Sequence, residues 1–435
     1  MAIINTNRLI VMLGIFVFIF SKSVAQSENS RQQLEEEKAK KAEAKIMSLF
    51  YNLKPENIPT PILNIPQRKY DSPLFCDEFI KYKNGYIINF INTDKSGRDI
   101  EQSYYFYYLD LNKNKLFELN IPGFDTVESL ISDNSVLYIS GKQRGMPLIV
   151  KYEDGKTINI QAIIPNGTEQ SMNNNWIKLG FYNGNLYALE KNGLHLLKDQ
   201  QWETITKFCL DSFYTKKLHY RFSRACIPTE NIKITNGKVY FLQEIVQERI
   251  SMLLEFSINE SDSLIELWDK LGLTDNYQKE INSFTLADDG SIFIGASRLW
   301  EKYLLIRLKN NATDFLIFNN HTKSGLEDKE IEARKVLIKG SDIYLACDNG
   351  IFKMTNDSIK PLAYFTDNSQ EIKDKDGDIQ FDFYPRCFEQ LTEKTYLLGG
   401  LFGGICLVDL SNNKIKWLDD INNDKVPVIK LDDIH

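Results

Sequence analysis

The chain has 435 residues, 43% of them hydrophobic, and a formal net charge of −7 at pH 7. An acidic chain without a basic face lacks the electrostatic footprint of a nucleic-acid binder, so nucleic acid is not an expected partner. Six cysteines (Cys76, Cys209, Cys226, Cys347, Cys387 and Cys406) at this length, without CxxC or zinc-type spacing, exclude a scaffold built on disulfides.

The first residues bear on the compartment. Arg8 precedes an apolar run from Leu9 to Phe20, and Ser23 and Ala25 supply the small residues of a cleavage site. The run is short for a stable span, and the pattern is that of a signal peptide over residues 1–25, with an uncleaved anchor as the alternative. Losing Arg8 and Lys22 with it takes the formal charge from −7 to −9. No later apolar stretch reaches membrane-spanning length, so no anchor is expected after cleavage. The expected location is the periplasm or the extracellular space. An apolar run ending in Ala25 before Gln26, in a chain rich in Asn, Lys and Ile, resembles exported proteins of Bacteroidota.

Residues 26–69 read as a charged helix and a linker. From Ser30 to Leu53, Ser30 and Gln33 fit a capping box, and Glu36 with Lys40 and Glu37 with Lys41 sit four apart. The only strong apolar cluster in this stretch is Ile46, Met47, Leu49 and Phe50, which suits a solvated spacer helix attached by its far end. Pro55, Pro59, Pro61 and Pro66 then favour extended chain.

From residue 70 to about 425 helical periodicity gives way to short β-branched and aromatic runs between turn signals, which are strands. One unit recurs: a turn, then an apolar residue, an aromatic and another apolar residue. Its aromatic falls at Tyr138, Tyr187, Tyr240, Phe293, Tyr344 and Tyr396, and Ile88 stands one interval before the first. Each unit also carries an apolar strand before the turn (Ile232–Ile234, Phe284–Leu286, Val336–Ile338). A third strand follows (Leu148–Tyr152, Leu253–Phe256, Leu304–Leu308, Ile405–Leu410), and then a second polar turn leads to a fourth. Seven units of four antiparallel strands give the fold class: all-β, a seven-bladed β-propeller preceded by a short helix, with a tail over 426–435. A solenoid is excluded by the unit length, and a pair of β-sandwiches is the alternative.

The sixth unit, with Gly325, Leu326, Ile331, Val336, Gly340, Ile343, Tyr344, Leu345, Asn349, Gly350 and Ile351, resembles the two-component-regulator propeller repeat. The fifth does so in part, through Asp289, Gly290, Ile292, Phe293, Ile294 and Gly295. The other units lack the opening Gly-Leu and carry Tyr where that family has Trp. The resemblance implies a periplasmic sensing or binding domain.

Candidate sites fall on what does not repeat. Asp374, Asp376 and Asp378 flank Gly377 in an acidic run that reads either as a calcium loop or as a solvated turn, because the glycine and the twelfth residue depart from the EF-hand pattern. No other cofactor is implied. The longest insertion, Lys207 to Glu230, carries His219, Tyr220, Arg221 and Arg224 with Cys209 and Cys226, a pair close enough in sequence to bridge. Propeller connectivity places it on the loop face shared with Asp94 and Glu101. No catalytic residue is assigned, since HExxH, G-x-S-x-G and P-loop signatures are missing from the sequence. The expected role is a module that binds a protein or glycan through this loop face. The alternatives are a glycosidase or lyase on the same scaffold and a structural subunit of an envelope complex.

Overall fold

The computed structural model describes residues 50–418 apart from intervening segments, the longest being 66–73, 93–102, 161–175, 211–225, 268–279, 318–332 and 368–384. Three short strands come first: β1 (Phe50–Asn52), β2 (Lys54–Pro55) and β3 (Ile62–Ile65). The signal peptide, most of the expected helix and the C-terminal tail lie outside the described residues. At its far end the helix reading is corrected, because Phe50–Asn52 is strand. Two adjacent aromatics favour extended backbone, and Lys54 precedes a proline, which disfavours the helical region.

Seven sheets follow, each built on a run of consecutive strands, with β1 added to the fifth and β2 and β3 to the sixth. The first four strands, β4 (Leu74–Tyr82), β5 (Gly85–Asn92), β6 (Ser103–Asp110) and β7 (Lys115–Glu118), form blade 1. Blade 2 is β8 (Thr126–Ser132), β9 (Leu137–Gln143), β10 (Met146–Glu153) and β11 (Lys156–Ile160). In blade 3, β12 (Lys178–Tyr182), β13 (Asn185–Glu190), β14 (Gly193–Lys198) and β15 (Gln201–Lys207) pair in that order. Blade 4 has a broken inner edge, with β16 (Cys226–Pro228) and β17 (Lys233–Thr235) both pairing with β18 (Lys238–Ile245), ahead of β19 (Ile250–Ser257) and β20 (Ile265–Glu266). The fifth blade runs β21 (Glu280–Leu286), β22 (Ile292–Leu299), β23 (Lys302–Lys309) and β24 (Ala312–Ile317). Blade 6 contains β25 (Ala333–Lys339), β26 (Asp342–Cys347), β27 (Gly350–Thr355) and β28 (Ser358–Asp367). Strands β29 (Pro385–Thr392), β30 (Thr395–Gly400), β31 (Gly404–Asp409) and β32 (Lys414–Trp417) complete blade 7.

Tight turns between these strands use residues that accept positive φ. Asn183 and Gly184 (φ 52° and 75°) and Asn236 and Gly237 (φ 50° and 71°) have the backbone of hairpin turns whose twist matches that of the strands. The proline-rich segment is put to use at the outside of blade 6, where β2 and β3 both run parallel to β28. Tyr364 donates its backbone N–H to Pro61 O at 3.0 Å, and Leu63 is buried among side chains of blades 6 and 7. Prolines suit this edge position, since one side of the strand needs no donors.

Each blade covers its neighbour, and the core lies between sheets. Tyr82, Ile87 and Phe106 of blade 1 pack on Leu130, Ile139 and Val150 of blade 2. Leu189 and Leu194 of blade 3 pack on Phe241, Leu254 and Phe256 of blade 4. The recurring aromatic occupies the second strand of its blade every time, and Tyr187, Tyr240, Phe293, Tyr344 and Tyr396 are buried. Their packing accounts for their recurrence. The ring closes by contact of blade 7 with blade 1, where Cys387, Leu397 and Ile405 meet Cys76, Ile88 and Phe90.

Phe241 is fully buried between blades 3 and 4. Phe241→Ala is expected to cost about 3–5 kcal/mol by urea denaturation. A loss below about 1 kcal/mol would place this ring outside a packed interblade core.

Candidate functional site

The first strands of the blades approach one another in a ring: β4 touches β8 and β29, β8 touches β12, β12 touches β17, and β21, β25 and β29 follow in order. A strand this close to the propeller axis has little room, and five of the seven release one residue from the ladder. The register slips past Asp77, Glu128, Asn282, Arg334 and Arg386, all in first strands. A bulge bends the strand and re-aims the extra side chain. In blade 4 the equivalent place is the gap between β16 and β17, which carries Glu230 and Asn231. With Glu78 next to the released Asp77, and Lys178 at the start of β12, these places form one polar column, Glu78, Glu128, Lys178, Glu230, Asn282, Arg334 and Arg386, at intervals of 50, 50, 52, 52, 52 and 52 residues.

The column is wired across blades. Lys335 Nζ of blade 6 lies 2.5 Å from Glu230 Oε1 of blade 4, and Lys233 Nζ lies 3.7 Å from Glu230 Oε2. Lys178 donates to the backbone carbonyl of Glu128, and Ile177 N–H donates to Glu128 Oε2 at 2.7 Å. Lys233 donates to Phe284 O with its ammonium over the Phe284 ring. Arg386 Nη1 lies 2.6 Å from Asp77 Oδ1.

Asn231 makes the longest reach. Its amide donates to Glu78 Oε1 and to Leu130 O, each at 2.9 Å, and its carbonyl oxygen accepts from Ser129 Oγ. Blade 4 thereby contacts blades 1 and 2, which are not its neighbours in the ring. The approach requires Gly180, because a Cβ there would sit 2.5 Å from Ile232 Cγ1 and 2.8 Å from Ile232 O. The segment Thr229–Ile232 thus reaches inward from blade 4 to blades 1, 2 and 3.

Protonation separates the carboxylates. Burial, reinforced by Asp77, raises the Glu78 carboxyl to about 8, with Lys178 and Lys335 opposing. Burial also raises Glu128, against the Ile177 N–H and two lysines. Glu230 goes the other way: burial works against its charge, but Lys335 and Lys233 outweigh that and lower its pKa. Burial lowers Lys178, with Glu78 and Glu128 opposing. At neutral pH the channel therefore holds an ionised Glu230–Lys335 pair beside a protonated Glu78. A protonated carboxyl both donates and accepts hydrogen bonds, so it can hold an uncharged polar group or deliver a proton.

No family model and no curated protein matches the chain. The likeness is to solved structures. A Lactobacillus plantarum protein aligns with 79% of this chain and 93% of its own length, at 11% identity and a TM-score of 0.42. The Pyrococcus horikoshii acylaminoacyl peptidase aligns with 82% of this chain at 8% identity and a TM-score of 0.45, and the aligned part is 54% of that enzyme. The polysaccharide lyase Uly1 aligns with 82% of this chain at 10% identity and a TM-score of 0.43. Likeness at this level concerns the fold alone, and the two-component-regulator resemblance rests on the repeat pattern.

The residues singled out from sequence, Asp94, Glu101, His219, Tyr220, Arg221, Arg224, Asp374, Asp376, Asp378 and Cys209, lie outside the described residues, and of Cys226 only the backbone is described. Among the described residues no group of three or more His, Cys, Asp or Glu could hold a metal ion. The channel column was legible in principle, because one polar residue interrupts each apolar first strand at the repeat interval. Its identity changes from Glu to Lys, Asn and Arg, so a search for recurring residue types passes over it.

Glu78 generates a pH test with a definite sign. Its carboxyl goes from an ordinary 4.5 to about 8 on folding. Between those values the folded chain holds a proton that the unfolded chain has released, so the stability due to this group falls as pH rises from 4.5 to 8 and is level above. The melting temperature of Glu78→Gln is expected to gain on the unsubstituted protein steadily from pH 5 to pH 8. A constant difference across that range would mean that Glu78 titrates normally.

Proposed function

We propose that this protein is an exported binding module that takes an uncharged, hydroxyl-rich ligand, a glycan segment, at the mouth of its central channel. The reading rests on the convergence, on one axis, of Glu78, whose carboxyl burial raises to about 8, with acids and bases that are mostly paired with one another. Asp77, Glu128 and Glu230 stand among Lys178, Lys233, Lys335, Arg334 and Arg386, and most of these groups are engaged with each other or with backbone. With most of these charges already paired, a ligand with many neutral donors and acceptors would meet groups able to pair with it. Ligand sites of this kind combine a concave scaffold with a few placed polar groups.

The raised carboxyl supports a second reading, a carbohydrate-active enzyme in which Glu78 supplies the proton to a leaving oxygen. Propeller architecture is compatible with both, because function resides in the site and not in the fold.

Calorimetric titration with neutral and anionic oligosaccharides, paired with an assay for bond cleavage, distinguishes the two. For a binding module, Glu78→Gln keeps affinity within about threefold, and Glu78→Ala weakens it about tenfold, equivalent to about 1.4 kcal/mol. For an enzyme, Glu78→Gln binds but loses at least a hundredfold in turnover. Failure of every oligosaccharide to bind or react would remove both readings.

A further inference from the structure

Each blade is built from consecutive strands, so the seam between blade 7 and blade 1 has no shared strand to hold it. In its place, β4 and β29 bring two thiols together from opposite ends of the ring. Cys76 Sγ and Cys387 Sγ lie 4.0 Å apart, both buried and 311 residues apart in sequence. Cys387 Sγ also donates to the carbonyl of Asp77 at 3.4 Å, and the neighbouring side chains Arg386 and Asp77 form an ion pair at 2.6 Å. Both contacts hold β29 to β4 at Asp77, next to the sulfurs.

A glycine keeps the space open. A Cβ on Gly399 would stand 2.4 Å from Cys76 Sγ and 3.4 Å from Cys387 Sγ, so any side chain there would push the sulfurs from their common pocket. The sulfurs, 4.0 Å apart, are in van der Waals contact.

We infer that Cys76 and Cys387 form a disulfide that clasps the first blade to the last. The bond forms as β4 and β29 meet during folding. A small-molecule or protein disulfide oxidises the two thiols by exchange through a mixed disulfide: one S–S bond forms in the propeller, the oxidant's S–S bond breaks, and its sulfurs leave as two thiols carrying the two protons. The inference does not depend on what the channel binds. Its setting is an oxidising compartment, where such a bond persists. Burial raises the Cys76 thiol, so a seam that has closed in the reduced state is slow to react.

The test uses the full chain, refolded in a glutathione redox buffer or purified after export, quenched in acid, alkylated and digested. Mass spectrometry is expected to find the Cys76 and Cys387 peptides joined, and reduction to separate them. Reduction is expected to lower the melting temperature by about 5 °C. Cys76→Ala and Cys387→Ala would both sit at the reduced value and no longer respond to reductant. Recovery of both cysteines as alkylated thiols from the oxidised protein, or of either one bridged to a different cysteine, would overturn the inference. The peptide mass measurement on the unsubstituted chain decides this even where an alanine variant fails to fold.

Discussion

Radial stacking brings seven strands to one axis, and the space there is too small for seven uninterrupted ladders with apolar side chains on both faces. The chain answers by letting five first strands bulge, starting β12 of blade 3 at Lys178 and breaking the inner edge of blade 4, all at equivalent places. A bulge leaves a backbone carbonyl without its ladder partner, and a buried carbonyl requires a donor. A lysine from an adjacent blade supplies it where Lys178 donates to Glu128 O, and Lys233 likewise reaches a first-strand carbonyl, that of Phe284. The polar lining thus follows from closure, and the unusual protonation of Glu78 follows from the lining. Structure and candidate chemistry share one cause at this point, because the same desolvation that shifts a carboxyl also makes it selective for what it contacts.

The architecture was legible in the sequence because its signals are redundant. An aromatic on every second strand, a turn with Asn, Asp or Gly before it and a second polar turn after the third strand repeat together, and interblade packing demands all three. Tyr240 in β18 and Tyr344 in β26 stand where that periodicity puts them. The boundaries were less legible where tertiary contacts decide. Phe50–Asn52 reads as the tail of a charged helix, yet an adjacent aromatic pair and a following Lys-Pro step make it strand. Pro61 and Leu63 read as linker, yet the outer strand of blade 6 offers a free edge that takes them in.

The site was hidden for a different reason. The long insertions stand out because sequence departs there from the repeat, whereas the polar column sits inside the repeat and varies only in residue type. Nor does local pattern show Asn231 reaching from blade 4 to Glu78 and Ser129, contacts 153 and 102 residues distant in sequence. The same holds for the seam, where Cys76 and Cys387 become neighbours only because the seventh blade meets the first.

The central claim is that closure of the ring desolvates Glu78 enough to keep it protonated near neutral pH. Carbon-13 NMR of the glutamate carboxyls, with Glu78→Gln to assign the resonance, measures this directly. The account predicts a carboxyl that titrates with a midpoint about 8, well separated from the surface glutamates. A midpoint near 4.5 would contradict it, and with it the view that the channel lining is a desolvated network rather than a solvated surface.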